Sequence, residues 1–87
     1  MDVTGALQHL ASECGETTQA AIKYIQHGPT SVNPKEQPPK SNRRALEEEA
    51  GDVLALIALL EEHGVLRSKK LLIRRDAKLE TYRRKYA

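Results

Sequence analysis

Apolar positions recur along this chain at alternating spacings of three and four, and nowhere at two. The first set runs Val3, Leu7, Leu10, Cys14, Thr17, Ala21 and Tyr24 or Ile25. That period lays one stripe along a long helix over residues 3–27, with Gly28 as its stop. A second set, Leu46, Val53, Ile57 and Leu60, predicts a helix over residues 42–63. Ser41 or Asn42 can cap its start, and Gly64 ends it. A third helix over 68–86 carries Leu72, Leu79, Tyr82 and Tyr86 on one side. Period-two alternation is absent, so no strand competes. All four prolines fall between Pro29 and Pro39, which makes residues 28–41 a loop. It is long for a helix–helix connection, and is therefore either mobile or part of a site.

These elements predict one all-α domain over residues 1–87. Its two long helices run antiparallel and assemble into a four-helix-type bundle on oligomerisation. The segment from Val53 to Leu60 is apolar on every side, and one partner helix cannot cover it all. A subunit interface is the natural cover. With no Trp, no Phe and 3% aromatic residues, the core must be aliphatic, and a chain of 87 residues with so few large side chains is expected to self-associate. The apolar run is too short to span a bilayer, so no membrane partner is expected. No basic segment followed by an apolar run opens the chain, and the single Cys14 suits a reducing compartment; the expected location is the cytoplasm.

Charge changes the picture because it is split. Residues 1–66 carry 5 basic and 10 acidic side chains, a balance of −5, whereas residues 67–87 carry 9 basic and 2 acidic, a balance of +7. A basic third helix can meet nucleic acid, an anionic ligand or the acidic half of another chain.

The acidic half holds a repeated pattern. Glu13-Cys14-Gly15-Glu16 and Glu49-Ala50-Gly51-Asp52 each place two carboxylates three residues apart, on one face of a helix. At roughly 100° per residue, Leu46, Val53, Ile57 and Leu60 fall at about +60°, +40°, +80° and +20° from Glu49. Glu49 thus lies at the edge of the apolar stripe, Asp52 lies beside Ala45 and Leu59, and Glu47 faces solvent. An unpaired carboxylate is costly there, and a bound cation removes the cost. Oxygen ligands select hard cations, so Mg²⁺ is expected, with Mn²⁺ as a substitute. Zinc is not expected, since His9, His27 and His63 are scattered and Cys14 falls on the core stripe. Gly15 and Gly51, each costly inside a helix, point to close approach by a neighbouring helix or a ligand.

At this spacing the residues resemble the MazG-like branch of the all-α nucleoside triphosphate pyrophosphohydrolases. The matching stretches are Leu10 to Lys23, with its E-x-x-E and following Lys, and Asn42 to Asp52, with its L-E-E-E-x-G-D; the match at the tail is weaker. The resemblance implies a helical homodimer or homotetramer. Such an enzyme cleaves a nucleoside triphosphate to the monophosphate and pyrophosphate with Mg²⁺. It implies Glu13, Glu16, Glu49 and Asp52 as metal ligands, with Glu16 or Glu49 orienting the attacking water. Lys23, with Arg43 or Arg44, would contact phosphate, Asn42 the base or sugar, and Lys78 and Tyr82 would close the site. Where small relatives often carry a basic residue and an aromatic before the glycine, this chain has Gln26 and His27. Two rival readings stand beside it. One is a non-catalytic helical module whose basic third helix binds nucleic acid or a partner protein. The other is a phosphoribosyl-nucleotide pyrophosphohydrolase. Nucleic acid is not the partner expected on the leading reading.

Overall fold

The computed structural model describes all 87 residues and is all-helical: α1 (Val3–His27), α2 (Asn42–Glu62) and α3 (Ser68–Tyr86). The ends follow from local chemistry. Asp2 caps α1 by accepting the Gly5 N–H at 2.9 Å, and Ser41 caps α2 by accepting the Arg44 N–H at 3.2 Å. Gly28 and Gly64 stop α1 and α2 with φ of 82° and 71°, a region that favours glycine.

α1 and α2 form an antiparallel hairpin and are the only packed pair of helices. The loop between them is pinned down. Val32 bridges Ser41, and the first two N–H groups of α2, on Asn42 and Arg43, donate to the Ser31 and Pro29 carbonyls, both at 3.0 Å. Loop backbone therefore fills part of the hydrogen-bonding vacancy that every helix start carries. The Asn42 side chain adds a staple: its Nδ2 donates to the carbonyls of Gly28 at 3.0 Å and Lys23 at 3.4 Å. Lys40 closes the far side, 2.7 Å from Glu48, which also accepts from Arg44 at 3.1 Å.

The seam between the helices departs from the expected stripe on α1. The half-buried or buried positions of α1 are Gly5, Ala6, Leu10, Glu13, Thr17, Ala20, Ala21 and Tyr24, so Leu10, Thr17, Ala21 and Tyr24 of the expected stripe are covered, while Val3, Leu7, Cys14 and Ile25 are exposed. Cys14, expected on the core stripe, is open to solvent, and Glu13 takes the seam position. The helix is thus rotated from the expected phase, with one edge of the stripe in the seam and the other open. On α2 the expected stripe holds, with Leu46, Val53, Ile57 and Leu60 all covered and Leu60 wholly buried.

Only Ala20 and Leu60 are buried in the whole protomer. The segment expected to be covered on every side leaves Leu54 67% exposed, and Ala55, Ala58 and Leu59 open as well. Gly15 and Gly51 meet nothing within 4 Å of where a Cβ would stand, so no helix approaches them inside the protomer. α3 makes only marginal contact with the other helices, and the molecule is a slab measuring 41 × 37 × 14 Å. Its thin dimension is close to one helix diameter. No helix is long and apolar enough to cross a membrane.

Candidate metal centre

Antiparallel packing brings the two acid pairs to the same height along the hairpin. Ligand oxygens from Glu13, Glu49 and Asp52 all lie within 4.8 Å of one another. Glu13 and Glu49 sit in the seam, because each belongs to the row of positions that faces the other helix. Asp52 is exposed at its edge. Glu16 is not part of this trio. It lines an adjoining cleft of about 110 Å³ together with Glu49, Lys23, Asn33, Lys40 and Asn42.

The electrostatics are those of carboxylates crowded together. Glu49 is pushed above the usual carboxylate range, first by burial and then by the neighbouring Glu13 carboxyl. The charges of Glu13, Glu16 and Asp52 add to the shift. Glu13 has one oxygen, Oε2, fully buried and without a partner. Its other oxygen, Oε1, lies 3.2 Å from His9 Nε2. A buried, bare carboxylate oxygen beside two further carboxylates is an acceptor set that a hard divalent cation would satisfy.

No family model, curated protein or solved structure matches this chain. The geometry of the site therefore carries the functional reading.

His9 is the residue that the sequence reading passed over. Its spacing of four from Glu13 was the available signal, since residues i and i+4 meet on a helix surface. His9, Glu13, Asp52, Leu56, Leu59 and Glu62 line an open groove of about 650 Å³, running from the acids along the apolar part of α2. Lys23 stands exposed where the acid-lined cleft meets a second one of about 300 Å³ that also holds His27, Asn33 and Asn42. Both amide hydrogens of Asn42 are committed to the α1 carbonyls, which leaves its Oδ1 for any other partner. Arg44 is paired with Glu48. Arg43 falls about 180° around α2 from Asp52 and so faces the other side of the hairpin. Lys78 and Tyr82 pair with each other on α3, the ammonium 5.9 Å from the ring centre, and line neither the groove nor the cleft beside the acids.

Proposed function

We propose that this protein is a Mg²⁺-dependent nucleoside triphosphate pyrophosphohydrolase of the MazG-like kind, active as a homodimer or homotetramer. The observation that carries the reading is the convergence of Glu13, Glu49 and Asp52 from two helices around a buried, unpartnered Glu13 oxygen. These three would hold Mg²⁺ (or Mn²⁺), which when bound would offset phosphate charge beside the acids.

The chain's own residues then divide the remaining work. Glu13 and Glu49 are fixed by the seam and cannot swing away. Glu16 stands outside the trio and lines the cleft with Glu49, so it is the carboxylate free to orient a water and accept its proton. Lys23, exposed at the same cleft, supplies positive charge for a phosphate. Lys78 and Tyr82 serve this site only from a neighbouring chain.

The test is a panel of ribo- and deoxyribonucleoside triphosphates with Mg²⁺, scored for pyrophosphate release. Release is expected for at least one nucleotide and is abolished in Glu49→Gln with helicity unchanged. Undiminished turnover in that variant would sink the assignment, and a phosphoribosyl nucleotide as the sole substrate would shift it to the histidine-pathway relatives. One observation favours a second reading: α3 is basic, unpartnered and studded with exposed Tyr82 and Tyr86. Salt-dependent binding of RNA or DNA without metal-dependent hydrolysis would make the protein a binding module instead.

A further inference from the structure

The charge of α3 is sorted around its axis. Lys70, Arg74, Arg75 and Lys85 all fall within about 80° of Lys78, as do Tyr82 and Tyr86. The only two acids of the helix, Asp76 and Glu80, fall about 160° from Lys78, one on either side. Nearly half of the helix surface therefore carries five cations and two aromatic rings and no carboxylate. None of the five is ion-paired, whereas Arg84 on the acidic side lies 3.9 Å from Glu80. Apart from Leu71 and Lys78, which are half-buried, every position of α3 is exposed.

Tyr82 is 50% exposed and Tyr86 75%. Their ring centres lie 6.3 Å apart with the planes tilted by 52°, so neither ring covers the face of the other. Each has an ammonium beside it: Lys78 Nζ is 5.9 Å from the Tyr82 ring centre, and Lys85 Nζ is 5.3 Å from that of Tyr86. A ring and a cation together match what one nucleotide of an unpaired strand presents, a flat base and a charged phosphate. A duplex keeps its base faces stacked inside and gives the rings nothing to hold. A membrane surface would call for an unbroken apolar stripe, and Arg75 falls between Tyr82 and Tyr86 on the helix surface.

We infer that this face of α3 is a binding site for single-stranded nucleic acid. Bases stack on Tyr82 and Tyr86, and phosphates lie against Lys70, Arg74, Arg75, Lys78 and Lys85. It is a second site, separate from the carboxylates of the hairpin and needing no metal, in a chain that also carries the nucleotide chemistry proposed above. It stands whether or not those carboxylates hydrolyse nucleotide. The tyrosines select the class of strand and not its sequence, because every base has a face to stack.

Fluorescence anisotropy of the full chain with labelled oligo-dT, in EDTA and over a range of NaCl, tests it. A duplex of the same length, phosphatidylcholine–phosphatidylserine vesicles and polyglutamate are the competitors. The single strand is expected to bind at least about 10-fold tighter than the duplex. Its log affinity is expected to fall with log salt at a slope of up to about −3.5, from about 0.7 per neutralised phosphate. Tyr86→Ala is expected to weaken binding by about 10-fold and Tyr86→Phe to keep it, because stacking needs the ring and not the hydroxyl. The double variant Lys70→Ala/Arg74→Ala is expected to lower the slope by about 1.4. Alanine favours the helix at all three positions, and circular dichroism checks that helicity is unchanged. No binding at low salt, or a duplex bound as tightly as the single strand, would overturn the site. So would a Tyr86→Ala variant that binds like the wild type. Binding that appears only with Mg²⁺ would move the strand to the carboxylates. Stronger capture by vesicles or polyglutamate would give the face to a lipid or a protein partner; either outcome overturns the assignment. Pyrophosphate release from free nucleotides is read separately, so loss of one function leaves the other standing.

Discussion

At the scale of single residues, Glu49 and Glu13 carry opposite halves of one problem. Glu49 is held protonated above the usual range by burial and by Glu13. In the metal-free protein the folded state therefore keeps this proton longer than the unfolded chain does. Stability falls as pH rises from the ordinary carboxylate range through the raised value, and the penalty is complete above it. Glu49→Gln removes that penalty. At neutral pH the variant is expected to melt a few degrees higher than the metal-free wild type, and to lose the further rise that Mg²⁺ gives the wild type. Thermal melts with and without Mg²⁺ across pH 4–8 check this; a variant that melts lower and still responds to Mg²⁺ contradicts it. His9 acts on the other half. By occupying Glu13 Oε1 it leaves the buried Oε2 as the oxygen available to a cation. Partners of this kind are commonly worth about 10-fold in metal affinity. His9→Ala is expected to weaken Mn²⁺ binding by about that factor, read by the fall in free-ion paramagnetic signal on titration.

At the scale of elements, the joint between α1 and α2 owes its rigidity to a few polar groups. Asn42 holds two α1 carbonyls, and Asn42→Ala should cost about 1 kcal/mol in urea unfolding. Gly28 sits at φ 82°, ψ 168°, a region nearly closed to other residues. Gly28→Ala should therefore cost more, about 1–3 kcal/mol. The Lys40–Glu48–Arg44 tether is different in kind. Lys40, first, and Arg44 hold the Glu48 carboxyl below its usual range by hydrogen bonds and charge. Its contribution is present above the ordinary carboxylate range and fades as pH falls through the depressed value. Arg44 and Glu48 are exposed and Lys40 partly so, and salt should screen the tether. Element boundaries were legible in the sequence because caps and stops are local: Ser41, Gly28 and Gly64 mark them. The phase of α1 was legible only in part. Of its expected stripe, Leu10, Thr17, Ala21 and Tyr24 meet the seam, whereas Val3, Leu7, Cys14 and Ile25 are open and Ala6, Glu13 and Ala20 are covered instead. Periodicity finds the most apolar face of a helix but does not say which neighbour covers it. The i, i+3 spacing put each acid pair on one face of its helix, and the hairpin register brings Glu13, Glu49 and Asp52 together. The displacement of Glu16 to the adjoining cleft is a matter of helix rotation and was not visible.

At the scale of the whole molecule, the protomer is a single layer of helices with almost no interior. α3 makes this plain: a lone helix of 19 residues is marginal in water, and little in the protomer supports it. Backbone amides of residues 68–86 are expected to exchange with solvent far faster than those of the α1–α2 seam at Leu60 and Ala20. Hydrogen exchange followed by mass spectrometry, at concentrations spanning the dimer dissociation, resolves the two. Equal protection of α3 and the seam at the lowest concentration would contradict a free α3. The charge split gives α3 a sign opposite to the hairpin. Any further contact that it makes with a neighbouring hairpin is therefore expected to weaken with salt.

That only Ala20 and Leu60 are enclosed has a consequence for the life of the chain in a cell. A newly made copy has little to resist a protease until it meets another, because most of what a folded protein shields is still open. For the oligomer proposed above, survival would depend on encounter, and encounter on abundance. Low expression would leave most copies to be degraded, whereas higher expression would protect each copy through its neighbours. Steady-state level should thus rise more steeply than synthesis rate, a threshold set by the thinness of one protomer.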